Sequence, residues 1–157
     1  MKASATLEGA AGVEFIKRKV EDSFCIWLVD DDVCWCEHLT WLLNLQAGVN
    51  CSRYFTSPIL MLIEFTQHAP PDAIVMDLEM SDMDGIETIS AVRKLTSVPI
   101  IWVLTTFFDH KRRDEALAAG AADFFLKRNS STQLIAAIHA ASIRFCSSHH
   151  AHVHSPQ

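Results

Sequence analysis

Three short apolar runs punctuate the chain: Cys25-Ile26-Trp27-Leu28-Val29, Ala73-Ile74-Val75-Met76 and Ile100-Ile101-Trp102-Val103-Leu104. None alternates polar with apolar, and all are rich in β-branched or bulky side chains. That is how strands covered on both faces of a parallel sheet read. A shorter run, Phe124-Phe125-Leu126, follows Gly120 and ends at Lys127; the more polar stretch from Val49 to Phe55 reads as a strand nearer an edge. Between the runs the period becomes helical. Trp35, Leu39 and Leu42 fall at i, i+4 and i+7; Leu134, Ile138, Ala141 and Phe145 continue the same spacing one turn further; Ile86, Ile89 and Val92 repeat every three residues. Ser57-Pro58 has the form of an N-cap followed by Pro in the first helical position, and Ser130 or Ser131 would cap the last helix. Five strand–helix pairs across roughly residues 22–146 predict an α/β domain, with a parallel five-stranded sheet and helices on both faces. Residues 1–21 are then an N-terminal extension and 147–157 a Ser/His-rich tail expected to be disordered.

Composition narrows the class without changing the fold. The 157 residues suffice for one domain; half are apolar and the formal net charge is −6. No basic cluster exceeds Lys111-Arg112-Arg113, which disfavours direct nucleic-acid binding. Met1 to Val20 lacks the apolar core of a signal peptide, and no stretch is long enough to span a bilayer, so a cytoplasmic location without membrane contact is expected. The five cysteines, an odd count, read as free thiols, mostly small buried hydrophobes.

The chemistry gathers at strand ends. The first predicted strand leads into Asp30-Asp31-Asp32, the third into Asp77, the fourth into Thr105-Thr106 and the fifth into Lys127. In a parallel α/β sheet, ligands bind beyond the carboxyl ends of the strands. A single Asp there is more often a turn or helix cap. Such groups at the same end of four of the five strands point instead to a site. Two carboxylates ~4 Å apart repel by about 4 kcal/mol at an effective dielectric near 20, so a cation is expected among them. Oxygen ligands with no His or Cys nearby favour Mg²⁺, and a carboxylate beside Mg²⁺, an ammonium and a hydroxyl is a plausible phosphoryl acceptor.

The strings Val29-Asp30-Asp31, Met76-Asp77 through Met83-Asp84-Gly85, Val103-Leu104-Thr105, Ala119-Gly120-Ala121 and Phe124-Phe125-Leu126-Lys127 resemble the receiver domain of bacterial two-component response regulators. Gly85 lies eight residues after Asp77, and Lys127 twenty-two after Thr105, as in that family. The resemblance implies a flavodoxin-like, doubly wound (βα)5 fold in a single domain. It implies that Asp77 accepts the phosphoryl group. Mg²⁺ would be held by Asp30, Asp31, Asp77 and the backbone carbonyl of Glu79, Asp31 directly and Asp30 largely through water. Thr105 would hydrogen-bond the phosphoryl group and Lys127 ion-pair with it, while Phe124 would be the switch aromatic that follows Thr105. Implied partners are a sensor histidine kinase or phosphotransfer protein, with a homodimer possible through the last helix–strand–helix face. The activity implied is a signalling switch rather than an enzyme. The room after Lys127 fits one more helix, so the resemblance admits a stand-alone receiver or the receiver of a longer regulator.

The chain departs from the family pattern at four places. Ser81 stands where Pro is usual, leaving the loop after Asp77 less rigid. Thr106 replaces a small residue and would narrow access to Asp77. Glu79 and Phe107 fill the variable positions that tune loss of the phosphoryl group, and Phe107 would shield it, giving slow autodephosphorylation. Arg128 replaces a Pro common after the Lys. Three other readings compete. A degenerate receiver would use the fold for docking or dimerisation alone. A haloacid dehalogenase-like phosphatase needs Asp-x-Asp directly after a strand, whereas Asp77 has Glu79 at the second place. A transition-metal site would draw on Cys34, Cys36 and His38, or on His149, His150, His152 and His154 of the tail; on a helix Cys36 points away from the other two.

Overall fold

The computed structural model describes residues 23–128 and 131–150. The strands are β1 (Phe24–Val29), β2 (Val49–Phe55), β3 (Ala73–Met76), β4 (Ile100–Thr105) and β5 (Asp123–Leu126). They alternate with α1 (Val33–Asn44), α2 (Pro58–Glu64), α3 (Gly85–Leu95), α4 (His110–Ala119) and α5 (Ser131–His150). The strands form one parallel sheet in the order β2-β1-β3-β4-β5. This is the flavodoxin-like order, in which the winding reverses between β1 and β3.

The continuous apolar runs are explained by burial on both faces. From β1, Phe24, Ile26 and Leu28 pack with Cys36, Leu39 and Leu43 of α1 and with Leu134, Ile138 and Ala141 of α5. Trp27 and Val29 face the other way, joining Met61 of α2, Ile89 and Val92 of α3 and Ala116 of α4. Two helices thus cover one face and three the other. Trp27 and Trp102 lie in the core as expected. The stripe of α1 is turned slightly from the expected one: Cys36, Leu39 and Leu43 are buried, while Trp35 and Leu42 are half-buried.

The helix starts are set by side chains. Asp32, Asp84 and Asp109 each accept a hydrogen bond from the first turn of α1, α3 and α4. Ser57 and Pro58 start α2 as read, although the Ser57 hydroxyl makes no capping bond. The last helix continues past Cys146 to His150, further than its apolar spacing suggested. The extension 1–21 and tail residues 151–157 lie outside the described residues. Among the described residues, no helix is long and apolar enough to cross a membrane.

Candidate functional site

Each expected group sits where its strand ends. Asp30 follows β1, Asp77 follows β3, Thr105 closes β4 and Lys127 follows β5. The sheet ladder runs on into the site: Asp77 N–H donates to Val29 O at 2.9 Å, and Lys127 N–H to Thr105 O at 2.8 Å. Four side chains far apart in sequence are therefore fixed by backbone pairing. Asp30, Asp77 and Thr105 are buried; Asp31 and Glu79 are exposed.

Lys127 is the centre of the arrangement. Its Nζ donates to Asp77 Oδ2 at 2.7 Å and lies 2.6 Å from Asp30 Oδ2. The Trp35 ring lies 5.4 Å from the same nitrogen, so the ammonium also rests near an indole face. Desolvation pulls Lys127 down, but the hydrogen bonds and charges of Asp30 and Asp77 outweigh it and hold its pKa above the ordinary value. Burial pushes the Asp30 carboxyl up, as does the Asp77 charge; Lys127 and the Asp32 amide pull it back only in part.

Each acid also receives a backbone N–H. Asp32 N donates to Asp30 Oδ1 at 3.0 Å, Glu79 N to Asp77 Oδ1 at 3.2 Å, and Ser81 N to Asp31 Oδ2 at 3.2 Å. Below them, Gly85 packs so closely that a Cβ would lie 2.5 Å from Asp77 O and 2.6 Å from Leu78 Cα. That contact is the physical reason for a glycine eight residues after Asp77.

The donor set fits a hard divalent cation. Asp30, Asp31 and Asp77 offer carboxylate oxygens at one sheet edge. The nearest thiol, Cys36, donates to Asp30 O, and burial followed by the Asp30 charge pushes its pKa to about 12, so it stays protonated and offers no soft ligand. Among the described residues no group of three or more His, Cys, Asp and Glu side chains is placed to hold a metal ion. Mg²⁺ needs none, since it keeps several waters and takes one or two carboxylates. Cys36 is buried while Cys34 and His38 are exposed, so the structure does not gather these three. The tail residues His152 and His154 lie outside the described residues.

Beside the acids, Leu78, Glu79, Thr105, Phe107, Asp109 and Arg112 line a depression of about 310 Å³. Phe107 is 66% exposed at its rim. Phe124 is half-buried, and its ring meets that of Phe108 edge-on with centroids 6.0 Å apart. Arg112 reaches across from α4 to Asp84 Oδ2 at 2.6 Å, tying α4 to the cap of α3. Sequence reading missed Trp35, Arg112, Phe108 and the Ser81 amide as parts of this region. Only the Ser81 departure from Pro left a signal.

The sequence profile of the response regulator receiver domain matches residues 26–139. The transcriptional regulatory protein LiaR of Bacillus subtilis is 42% identical over 72 residues, 46% of this chain and 34% of LiaR. The transcriptional regulatory protein ZraR of Klebsiella oxytoca is 30% identical over 103 residues, 65% of this chain and 22% of ZraR. The chain thus spans about a third or less of the length of these relatives. Among solved structures, the receiver domain of the putative response regulator NarL from Mycobacterium tuberculosis superposes with a TM-score of 0.70 at 24% identity, covering 77% of this chain and 97% of that one. FixJ-N superposes with a TM-score of 0.67 at 28% identity, covering 76% and 94%.

Proposed function

The chain belongs to the response regulator receiver domain family, and from that premise we propose that it is a phospho-accepting switch of a two-component phosphorelay, with Asp77 as acceptor. The observation that carries this reading is the Lys127 ammonium shared between Asp77 and Asp30 at the carboxyl edge of the sheet, beside Thr105.

An Asp77 carboxylate oxygen forms the bond to phosphorus as the bond from phosphorus to its donor, a phosphohistidine of a sensor kinase or phosphotransfer protein, breaks. Lys127 keeps its ion pair by passing from the Asp77 carboxylate to the phosphoryl oxygens, and the Thr105 hydroxyl donates to the same group. Asp30, Asp31, Asp77 and the Glu79 carbonyl would hold Mg²⁺, which would supply positive charge against the transferring group. Phe124 follows Thr105 inward, which alters its contact with Phe108 and the surface of the last helix–strand–helix face. Homodimerisation on that face, in the cytoplasm and without direct contact to nucleic acid or membrane, belongs to the same proposal. The chain turns over no substrate other than its own phosphoryl group. Phe107 at the rim beside Thr105 supports slow loss of that group.

Incubation with acetyl phosphate and Mg²⁺, wild type beside Asp77→Ala, tests the reading by intact mass. One phosphoryl group on wild type alone is the expected result. No uptake, together with no change in size on adding beryllofluoride, would leave a receiver used only for docking. Decay of the phospho-form within seconds would contradict the shielding role of Phe107.

A further inference from the structure

Ser81 stands where the family usually has Pro, and proline has no N–H to give. Here the N–H is used. The Ser81 amide donates to Asp31 Oδ2 at 3.2 Å, across a separation of 50 residues, and so joins the loop after β1 to the loop after β3. The backbone amides that reach the other two acids come from their own loops, two residues ahead, and both acids also meet Lys127, which Asp31 does not. Asp31 is exposed, and among the described residues this amide is its hydrogen-bond donor.

We propose that Ser81 is a positioning residue for Asp31, and that its backbone amide rather than its hydroxyl holds the Asp31 carboxylate ready for a divalent cation. A free, exposed Asp samples several rotamers and must give them up on binding; one already tethered has less to lose. The amide occupies one lone pair of Oδ2, and the other oxygen remains available as a ligand. The loop therefore forgoes the stiffness proline would give and is fixed instead by a bond between loops. This inference deepens the Mg²⁺ reading above and rests on it.

Calorimetric titration of the metal-free full chain with Mg²⁺ compares wild type, Ser81→Ala and Ser81→Pro. Loss of the amide in Ser81→Pro is expected to weaken binding about three- to tenfold, the range of one ordinary solvent-exposed hydrogen bond. Ser81→Ala keeps the amide and is expected to stay within about twofold of wild type, since little else changes. Equal affinity in wild type and Ser81→Pro would overturn the proposal, and so would equal weakening in both variants, which would assign the effect to the hydroxyl. Amide hydrogen exchange at Ser81 in the metal-free protein gives a reading that needs neither proline nor metal. Faster exchange there in Asp31→Ala than in wild type supports the tether; an unchanged rate overturns it. Absence of Mg²⁺ binding by wild type beside a protected Ser81 amide would instead strike the metal reading and, with it, the role of the tether.

Discussion

Burial pushes the Asp30 carboxyl above its ordinary range, and the Asp77 carboxylate adds to the push. A carboxyl raised on folding contributes stability below its unfolded pKa and loses that contribution as pH rises through the folded value. At neutral pH the Asp30 charge is thus a cost to the metal-free fold. Asp30→Asn is expected to raise the melting temperature at pH 7 by roughly 2–5 °C, with the gain closing toward about pH 4. Melting followed by circular dichroism across that range checks it, and a variant no more stable than wild type at pH 7 would count against a net cost. Lys127 is raised as well, so the stability it gains from Asp30 and Asp77 is present below the ordinary lysine range and lost only at strongly alkaline pH. Lys127→Met leaves two buried carboxylates facing each other, and urea denaturation should show a loss of about 2–4 kcal/mol. Adding Asp30→Asn to that variant should restore part of it, because the two positions share one interaction. Trp35 supplies an optical reading of the same ammonium. If Lys127 moves to a phosphoryl group, the indole beside it changes surroundings, and Trp35→Phe is expected to remove most of the emission change that beryllofluoride and Mg²⁺ produce.

Gly85 shows how an element is placed by what it cannot carry. A Cβ there would meet the backbone of Asp77 and Leu78, neither of which can swing aside as a side chain would. Gly85→Ala must therefore push the start of α3 away from the loop after β3 that carries Asp77. A loss of about 2–4 kcal/mol in urea is expected, as for other overpacked sites, together with slower uptake from acetyl phosphate. Much of the fold was legible because its strands are buried on both faces, so their residues leave unbroken apolar runs. The stripe of α1 was read one step off: Trp35 turns toward Lys127, and Cys36 and Leu43 take the core positions. Helix α4 left no stripe at all, since Ala116 is its one residue buried in the core. The three strand-end acids and Lys127 were visible because strand ends are visible. The tether between Ser81 and Asp31 was not, because every residue but proline has an amide and the sequence does not say where it points. The thin packing of α4 has its own consequence. Its amides are expected to exchange with solvent faster than those of α1 and of α5 near Leu134 and Ile138, which hydrogen-exchange mass spectrometry can resolve.

The two apolar layers share one sheet, so separating its strands opens both layers at once. Thiol chemistry can follow that opening. Cys36 and Cys51 are buried, and burial pushes their pKa values to about 12 and about 11, whereas Cys34 is exposed. In native buffer Cys34 should react with a disulfide reagent well before either of the others, and the slow phase should quicken with urea in step with loss of secondary structure. A slow phase that ignores urea would mean that Cys36 and Cys51 are reached by local opening. The ring of Phe145, late in α5, lies 5.7 Å from that of Phe24 at the start of β1. Five strand steps, about 17 Å, separate Phe24 from Val29 at the end of β1, and the acids lie beyond it. Both Phe24 and Phe145 therefore occupy the pole of the molecule remote from Asp77. A surface anchor or fluorescent label attached near either one would leave the face around Asp77 open, so the chain can be immobilised on a sensor chip and still present that face to a candidate kinase.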